Sequence, residues 1–286
     1  MMTGMNASPL NSRDLSVIIP ASSEAATMAS VLQEVEQLRP REIIVVVNGS
    51  RDETAHIVAE HHHRLVEFSE RLGHDVGRSI GAFLATGSVL LFVDADIVIP
   101  WTELEPFVRA IESGFDVALN DIDTIVSKYP WDPVSVQKIW LNVCLGRRHL
   151  ETASLTAVPH ALSRTVFRYI TPDDLSVPPK AYAKLVTANA QITKAHIVDV
   201  VTTNKIHGWH GVDSGHDLMA ELIVGDHLEA LDWLRITPTV AAGEHSDAPE
   251  SAVTSPLQPA KSPPRASAGR QIRRALYLAW RWLIGG

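Results

Sequence analysis

The chain has 286 residues, 45% apolar and 20% charged, with 25 basic against 33 acidic side chains and a formal charge of −8. That size and composition suit one large globular domain with appendages, and the negative balance excludes a general nucleic-acid-binding surface. A single cysteine, Cys144, excludes an internal disulfide and fits a reducing compartment.

The opening stretch, MMTGMNASPLNSRD, lacks the apolar centre of a secretory leader. No run reaches the ~18 apolar residues of a membrane span, so a cytoplasmic location is expected. From residue 15 strands and helices alternate. SVIIP (16–20) reads as a buried strand. Met28, Val31, Leu32, Val35 and Leu38 follow at helical spacing. EIIVVV (42–47) is a second buried strand and NGS (48–50) its turn. RDETAHIVAEHHH (51–63) reads as a helix with acids early, as its dipole favours, and His61, His62 and His63 as its solvated end. LVEF (65–68), a helix at 78–87, VLLFVD (89–94), a helix at 101–114 and FDVAL (115–119) continue the rhythm. This order predicts an α/β fold, a mostly parallel sheet with helices on both faces.

Beyond about residue 125 the rhythm loosens. Residues 132–146 and 217–234 read as helices, with short strands and polar loops over 150–215. Residues 237–269, rich in Pro, Ala and Ser, read as a disordered linker. In the tail at 270–286, Ile272, Ala275, Leu276, Ala279, Trp280 and Leu283 form one apolar stripe flanked by Arg270, Arg273, Arg274 and Arg281. Such a basic amphipathic helix fits the inner face of a membrane; docking on its own domain or on a second subunit, as in a homodimer, is the alternative.

Ligands of open α/β sheets bind outside the carboxyl ends of the strands. Four polar clusters fall there: Pro20-Ala21-Ser22-Ser23-Glu24, Asn48-Gly49-Ser50-Arg51-Asp52, Gly73 to Arg78, and Asp94-Ala95-Asp96. Each alone is ordinary turn chemistry; their placement on one rim is the signal. Two carboxylates at the end of an apolar strand repel each other unless a cation compensates. A Mg²⁺ or Mn²⁺ ion would do so and would fill its other positions with phosphate oxygens. The site therefore asks for a diphosphate, with Arg78 directed at the phosphates or base and Asn48 at a base edge.

In this order and spacing, SVIIPASSE, VVVNGSRDET, GRSIGAFLATG and FVDAD resemble the GT-A domain of family 2 glycosyltransferases over residues 14–125. The resemblance continues more loosely to about 235, where VPHALSR (158–164) and VDVVTTNKIHGWHG (198–211) resemble the acceptor half of glucosyl-3-phosphoglycerate-synthase-like enzymes. It implies one domain over 14–236, with a donor half at 14–125 and an acceptor half at 126–236. It also implies a metal-dependent transfer of sugar from a nucleotide diphosphate to a small-molecule or lipid-linked hydroxyl acceptor. By its pattern Pro20, Ala21, Ser22, Glu24, Asn48, Gly73, Arg78, Asp94 and Ala95 line the donor pocket. Asp96 binds the metal, and His207, or else His210, completes its shell.

The Glu-Asp pair usual in inverting members is missing; TPDDLSVPPKAYAKL (171–185) stands in that region. Asp174, or Asp173 beside it, is the substitute base, and each reads equally as a cap. Inverting and retaining courses both stay open. His160 and Arg164 are expected to bind an anionic acceptor, with a solvated strand-to-helix segment as the alternative. Rival chemistries lack their motifs. No Gly-rich basic loop for triphosphate and no Gly-x-Gly-x-x-Gly follows the first strand. A catalytically weak nucleotide-sugar-binding or scaffold protein remains the second reading.

Overall fold

The computed structural model describes residues 13–126, 132–200 and 218–237. Strands β1 (Arg13–Ala21), β2 (Pro40–Asn48), β3 (Arg64–Phe68) and β4 (Val89–Phe92) alternate with helices α1 (Ala25–Glu36), α2 (Thr54–Glu60) and α3 (Val76–Leu84). Helix α4 (Trp101–Glu112), strand β5 (Val117–Asn120) and the short α5 (Asp123–Val126) follow. The second half contributes α6 (Pro133–Cys144), β6 (His160–Ser163), α7 (Pro178–Thr187), β7 (Ile192–His196) and α8 (Leu218–Ile236), with 3₁₀ turns between.

One seven-stranded sheet has the order β3-β2-β1-β4-β6-β5-β7. All its pairings are parallel except those of β6, which runs antiparallel to both β4 and β5. The apolar strands are continuous because both faces are covered. Along each strand alternate residues go to opposite layers. Ile18, Ile44, Val46, Leu90 and Phe92 pack on one side with Ile80 and Tyr182. Val17, Ile19, Val45, Leu91 and Val93 pack on the other with Met28, Leu32 and Phe107.

Helix α3 seats directly on β1. A Cβ added at Gly81 would collide with the Ile18 side chain, so the helix approaches the strand only because glycine stands there. This close seat brings Arg78, three residues earlier, to the carboxyl end of the sheet.

The structure differs from the sequence reading in three places. The helix expected over 51–63 is shorter, because His62 adopts φ +57 and turns the chain into β3. His61 and His63 are also not a solvated end: both bond to Glu36. Residues 160–163 form a strand inside the sheet, between β4 and β5, rather than a solvated strand-to-helix segment. His207, His210, the linker beyond Thr237 and the tail at 270–286 lie outside the described residues. Among the described residues no helix is long and apolar enough to cross a membrane.

Candidate functional site

At the carboxyl ends of β1, β2 and β4 lies a cleft of about 390 Å³. It is lined by Pro20, Ala21, Ser22, Glu24, Asn48, Arg71, Leu72, Gly73, His74, Arg78, Asp94, Ala95, Asp96 and Met219. The four polar clusters of the sequence thus converge on one hollow.

Its floor is an ion network. Arg78 is buried and its Nη1 donates to Asp75. Its Nη2 donates to both oxygens of Asp94, at 2.9 and 3.1 Å. Burial works against the guanidinium charge, but Asp94 and Asp75 outweigh it and hold the pKa above its ordinary value. Asp96 acts on Arg78 through its charge as well. The Arg78 guanidinium thus stands among Asp75, Asp94 and Asp96. Arg78, not a metal alone, is what compensates Asp94 beside so apolar a strand. The turn carrying both acids is fixed from α1, where Thr27 Oγ1 donates to the Ala95 carbonyl at 2.7 Å.

The walls are tied down by side chains. Asn48 Nδ2 donates to the Gly73 carbonyl at 2.7 Å, and Asn48 Oδ1 accepts from Leu72 N at 2.8 Å. The amide expected to read a base edge thus holds the loop at 71–73 against the end of β2. Gly73 adopts φ +133, a conformation closed to other side chains, with Val76 Cγ2 in the way of any Cβ. Asp52 bridges the two helix starts, accepting from Ala25 N at 3.0 Å and Thr54 N at 3.1 Å. Burial would raise its pKa; bonds from Thr54, Ala25 and Ser50 outweigh this and hold it at about 2.

The other expected site residues stand elsewhere. His160 is buried beneath the floor, stacked on Phe92 with ring centroids 4.9 Å apart, its Nδ1 against the Ala157 carbonyl at 3.0 Å. Burial and then the charge of Arg78 lower its pKa to about 3, so the ring is neutral and offers no cation to an anionic acceptor. Arg164 lies at the opposite end of the sheet, where its Nε donates to the Gly87 carbonyl at 2.7 Å and its Nη2 to the Ala85 carbonyl. Asp174 accepts from Thr171 N at 2.9 Å and pairs with Lys184 Nζ at 2.6 Å. It completes a capping box and lines no part of the cleft.

Sequence reasoning missed Arg71, Leu72 and Met219, and named His74 only as part of the Gly73-to-Arg78 cluster. Arg71 and His74 flank the glycine of the loop after β3, a signal that was readable. Met219 arrives from α8, far along the chain, and only the tertiary fold brings it there. Also missed was Asn120, fully buried at the end of β5. Its amide donates to the carbonyls of Val158 and Val198 at 2.9 and 3.0 Å, locking the segments around β6 and β7 together.

The comparisons agree with this geometry. Glucosyl-3-phosphoglycerate synthase from Mycobacterium tuberculosis, solved with Mn²⁺, uridine diphosphate and phosphoglyceric acid, superposes with a TM-score of 0.57 at 17% identity, over 76% of this chain and 78% of that one. That likeness is one of fold. A dolichyl-phosphate beta-glucosyltransferase of Trichomonas vaginalis is 34% identical over 97 residues, 29% of this chain and 30% of that protein. A dolichyl-phosphate hexose transferase of Haloferax volcanii is 28% identical over 109 residues, 38% of this chain and 47% of that protein. The chain thus spans about a third to a half of the length of the curated relatives it matches. The sequence pattern of glycosyl transferase family 2 matches residues 16–171, more than half of the chain. With its mixed sheet of GT-A type and its acid-lined cleft at the carboxyl rim, the chain belongs to glycosyl transferase family 2.

Proposed function

We propose that the protein transfers a hexose from a nucleotide diphosphate sugar, held in the cleft with a divalent metal, to a small-molecule or lipid-linked acceptor. The observation that carries this reading is the floor: Asp94 and Asp96 line the cleft together at the carboxyl end of β4, beside the buried Arg78 guanidinium.

The donor set fits a hard cation, since carboxylate oxygens with room for further oxygen ligands suit Mg²⁺ or Mn²⁺. Asp96 would hold the ion, with Asp94 beside it. When bound, the metal would offset the charge of the diphosphate and of its departing oxygen. The chain supplies the frame. Arg78 fixes Asp94 through Nη2, which donates to both its oxygens, Thr27 fixes the turn, and Asn48 fixes the loop carrying Arg71, Gly73 and His74. A nucleotide entering between β1 and β2 would meet groups already placed, which lowers the ordering cost of binding.

Uridine diphosphate sugars are the first donors to test, because the structural neighbour was solved with uridine diphosphate. Thermal unfolding with UDP-glucose and related donors, with and without Mn²⁺, should show metal-dependent stabilisation of ~2.7 kcal/mol at a hundredfold excess over Kd. Asp96→Asn should remove the Mn²⁺-dependent part while leaving the unliganded Tm within a few degrees. Donors that stabilise equally with or without Mn²⁺ in both proteins would contradict the metal's role. Chirality of the transferred sugar, read by NMR, decides between retention and inversion.

A nucleotide-sugar-binding protein without turnover is the second reading. It is favoured by the engagement of Asp174 in a cap and an ion pair, which removes the expected base. Stabilisation by donor with no transfer or hydrolysis would select it. The basic stripe at 270–286 supports contact with the inner face of a membrane. Removing those residues should abolish sedimentation with anionic vesicles and spare donor binding; unchanged sedimentation would refute it.

A further inference from the structure

The rim of the sheet opposite the cleft carries a second group of ligating side chains. Glu36 ends α1, His61 follows α2, and His63 leads into β3. His63 Nε2 stands 2.7 Å and His61 Nδ1 3.1 Å from the same oxygen, Glu36 Oε1. One ligand atom from each of the three residues lies within 4.8 Å of the others. Helix α1 separates this cluster from the cleft by roughly 16 Å along its axis.

The backbone builds the arrangement. His62 adopts φ +57 between the two, a left-handed conformation that a non-glycine residue seldom takes. That single turn puts the rings of His61 and His63 side by side, stacked with centroids 6.1 Å apart and planes 25° from parallel. All three side chains are partly shielded, retaining 23%, 20% and 36% exposure for His61, His63 and Glu36, so an ion can reach them. The cleft uses none of these residues.

We infer that Glu36, His61 and His63 form a second metal site, for Zn²⁺ or a similar transition ion, distinct from the oxygen-rich cleft. Two imidazole nitrogens and one carboxylate are a borderline donor set, which Zn²⁺, Co²⁺ and Ni²⁺ prefer over Mg²⁺. Tetrahedral ligands ~2.0–2.1 Å from zinc stand about 3.3 Å apart. Inserting the ion therefore requires the carboxylate to move back by a few tenths of an ångström. Ligation needs the ring nitrogens that face Glu36 to be free of protons, so each imidazole would carry its proton on the outer nitrogen. Solvent would supply the fourth ligand. The ion's work is structural: it ties the end of α1 to the α2–β3 turn.

The test uses the full chain stripped of metal. Zinc alone, followed by calorimetry, should bind in one equivalent at this site, and zinc at a hundredfold excess over Kd should raise Tm by roughly 5–10 °C. Cobalt should give visible d–d bands of a four- or five-coordinate nitrogen–oxygen site, a readout that needs no variant. His61→Ala, His63→Ala and Glu36→Gln should each weaken zinc binding on the order of tenfold or more, and the double histidine variant should lose it. His62→Gly, which keeps the left-handed turn, and Asp96→Asn should keep it, which separates this site from the cleft. Zinc affinity unchanged in the double histidine variant, or no stoichiometric zinc binding by the unaltered chain, overturns the inference.

Discussion

Arg78 is the residue on which the cleft depends most. It is buried between Asp75 and Asp94, so its removal leaves two acids without their cation in a poorly solvated place. Breaking a buried pair from one side costs far more than the pair's net worth, because the survivor remains buried and charged. Arg78→Met is therefore expected to destabilise the fold by about 3–5 kcal/mol, measured from the shift in urea midpoint at constant m-value. His160 lies under the same network but is neutral, held so by burial and by Arg78. It contributes packing against Phe92 rather than charge.

The elements that position the cleft are α1 and α3, one on each face of the sheet. Helix α3 must lie close to β1 to deliver Arg78, and Gly81 is what allows it. Gly81→Ala would gain about 1 kcal/mol in helix propensity yet force the helix away from Ile18. The steric cost wins because the contact is with a fully buried side chain in a close-packed layer. A net loss of about 1–2 kcal/mol is expected. A double-mutant cycle with Ile18→Ala should show coupling, since shortening Ile18 relieves the contact. Additive free energies would show that the helix does not press on the strand.

At the scale of the whole molecule, the two halves named from sequence share one sheet. Strand β6, from the second half, is the link between β4 and β5 of the first. A fragment of residues 13–126 would lack that strand, leaving β4 and β5 unpaired with each other and part of both apolar layers open. We expect it to show no cooperative thermal transition by circular dichroism, whereas residues 13–237 should unfold in one. A cooperative transition in the shorter fragment would mean that the donor half is an independent unit. The change of rhythm at residue 125 falls within one continuous sheet, since β6 lies between β4 and β5.

The sequence by itself determined the alternation of elements through β4 and α4, and the rim on which the cleft sits. Those features are local: continuous β-branched runs, helical spacing and polar residues at strand ends are written within a few neighbours. It also identified Asp94, Asp96, Arg78, Ser22 and Asn48 as neighbours, because parallel strands bring their carboxyl ends to one edge. Only the tertiary structure decided what each side chain does there. Asn48 was consumed by a loop, His160 was buried, Arg164 was carried to the far rim and Asp174 was engaged by Lys184. Each outcome depends on a partner many residues away, and such pairings leave no periodicity in the chain. The same holds for Glu36, His61 and His63, which look like surface residues until a left-handed His62 and the end of α1 bring them together.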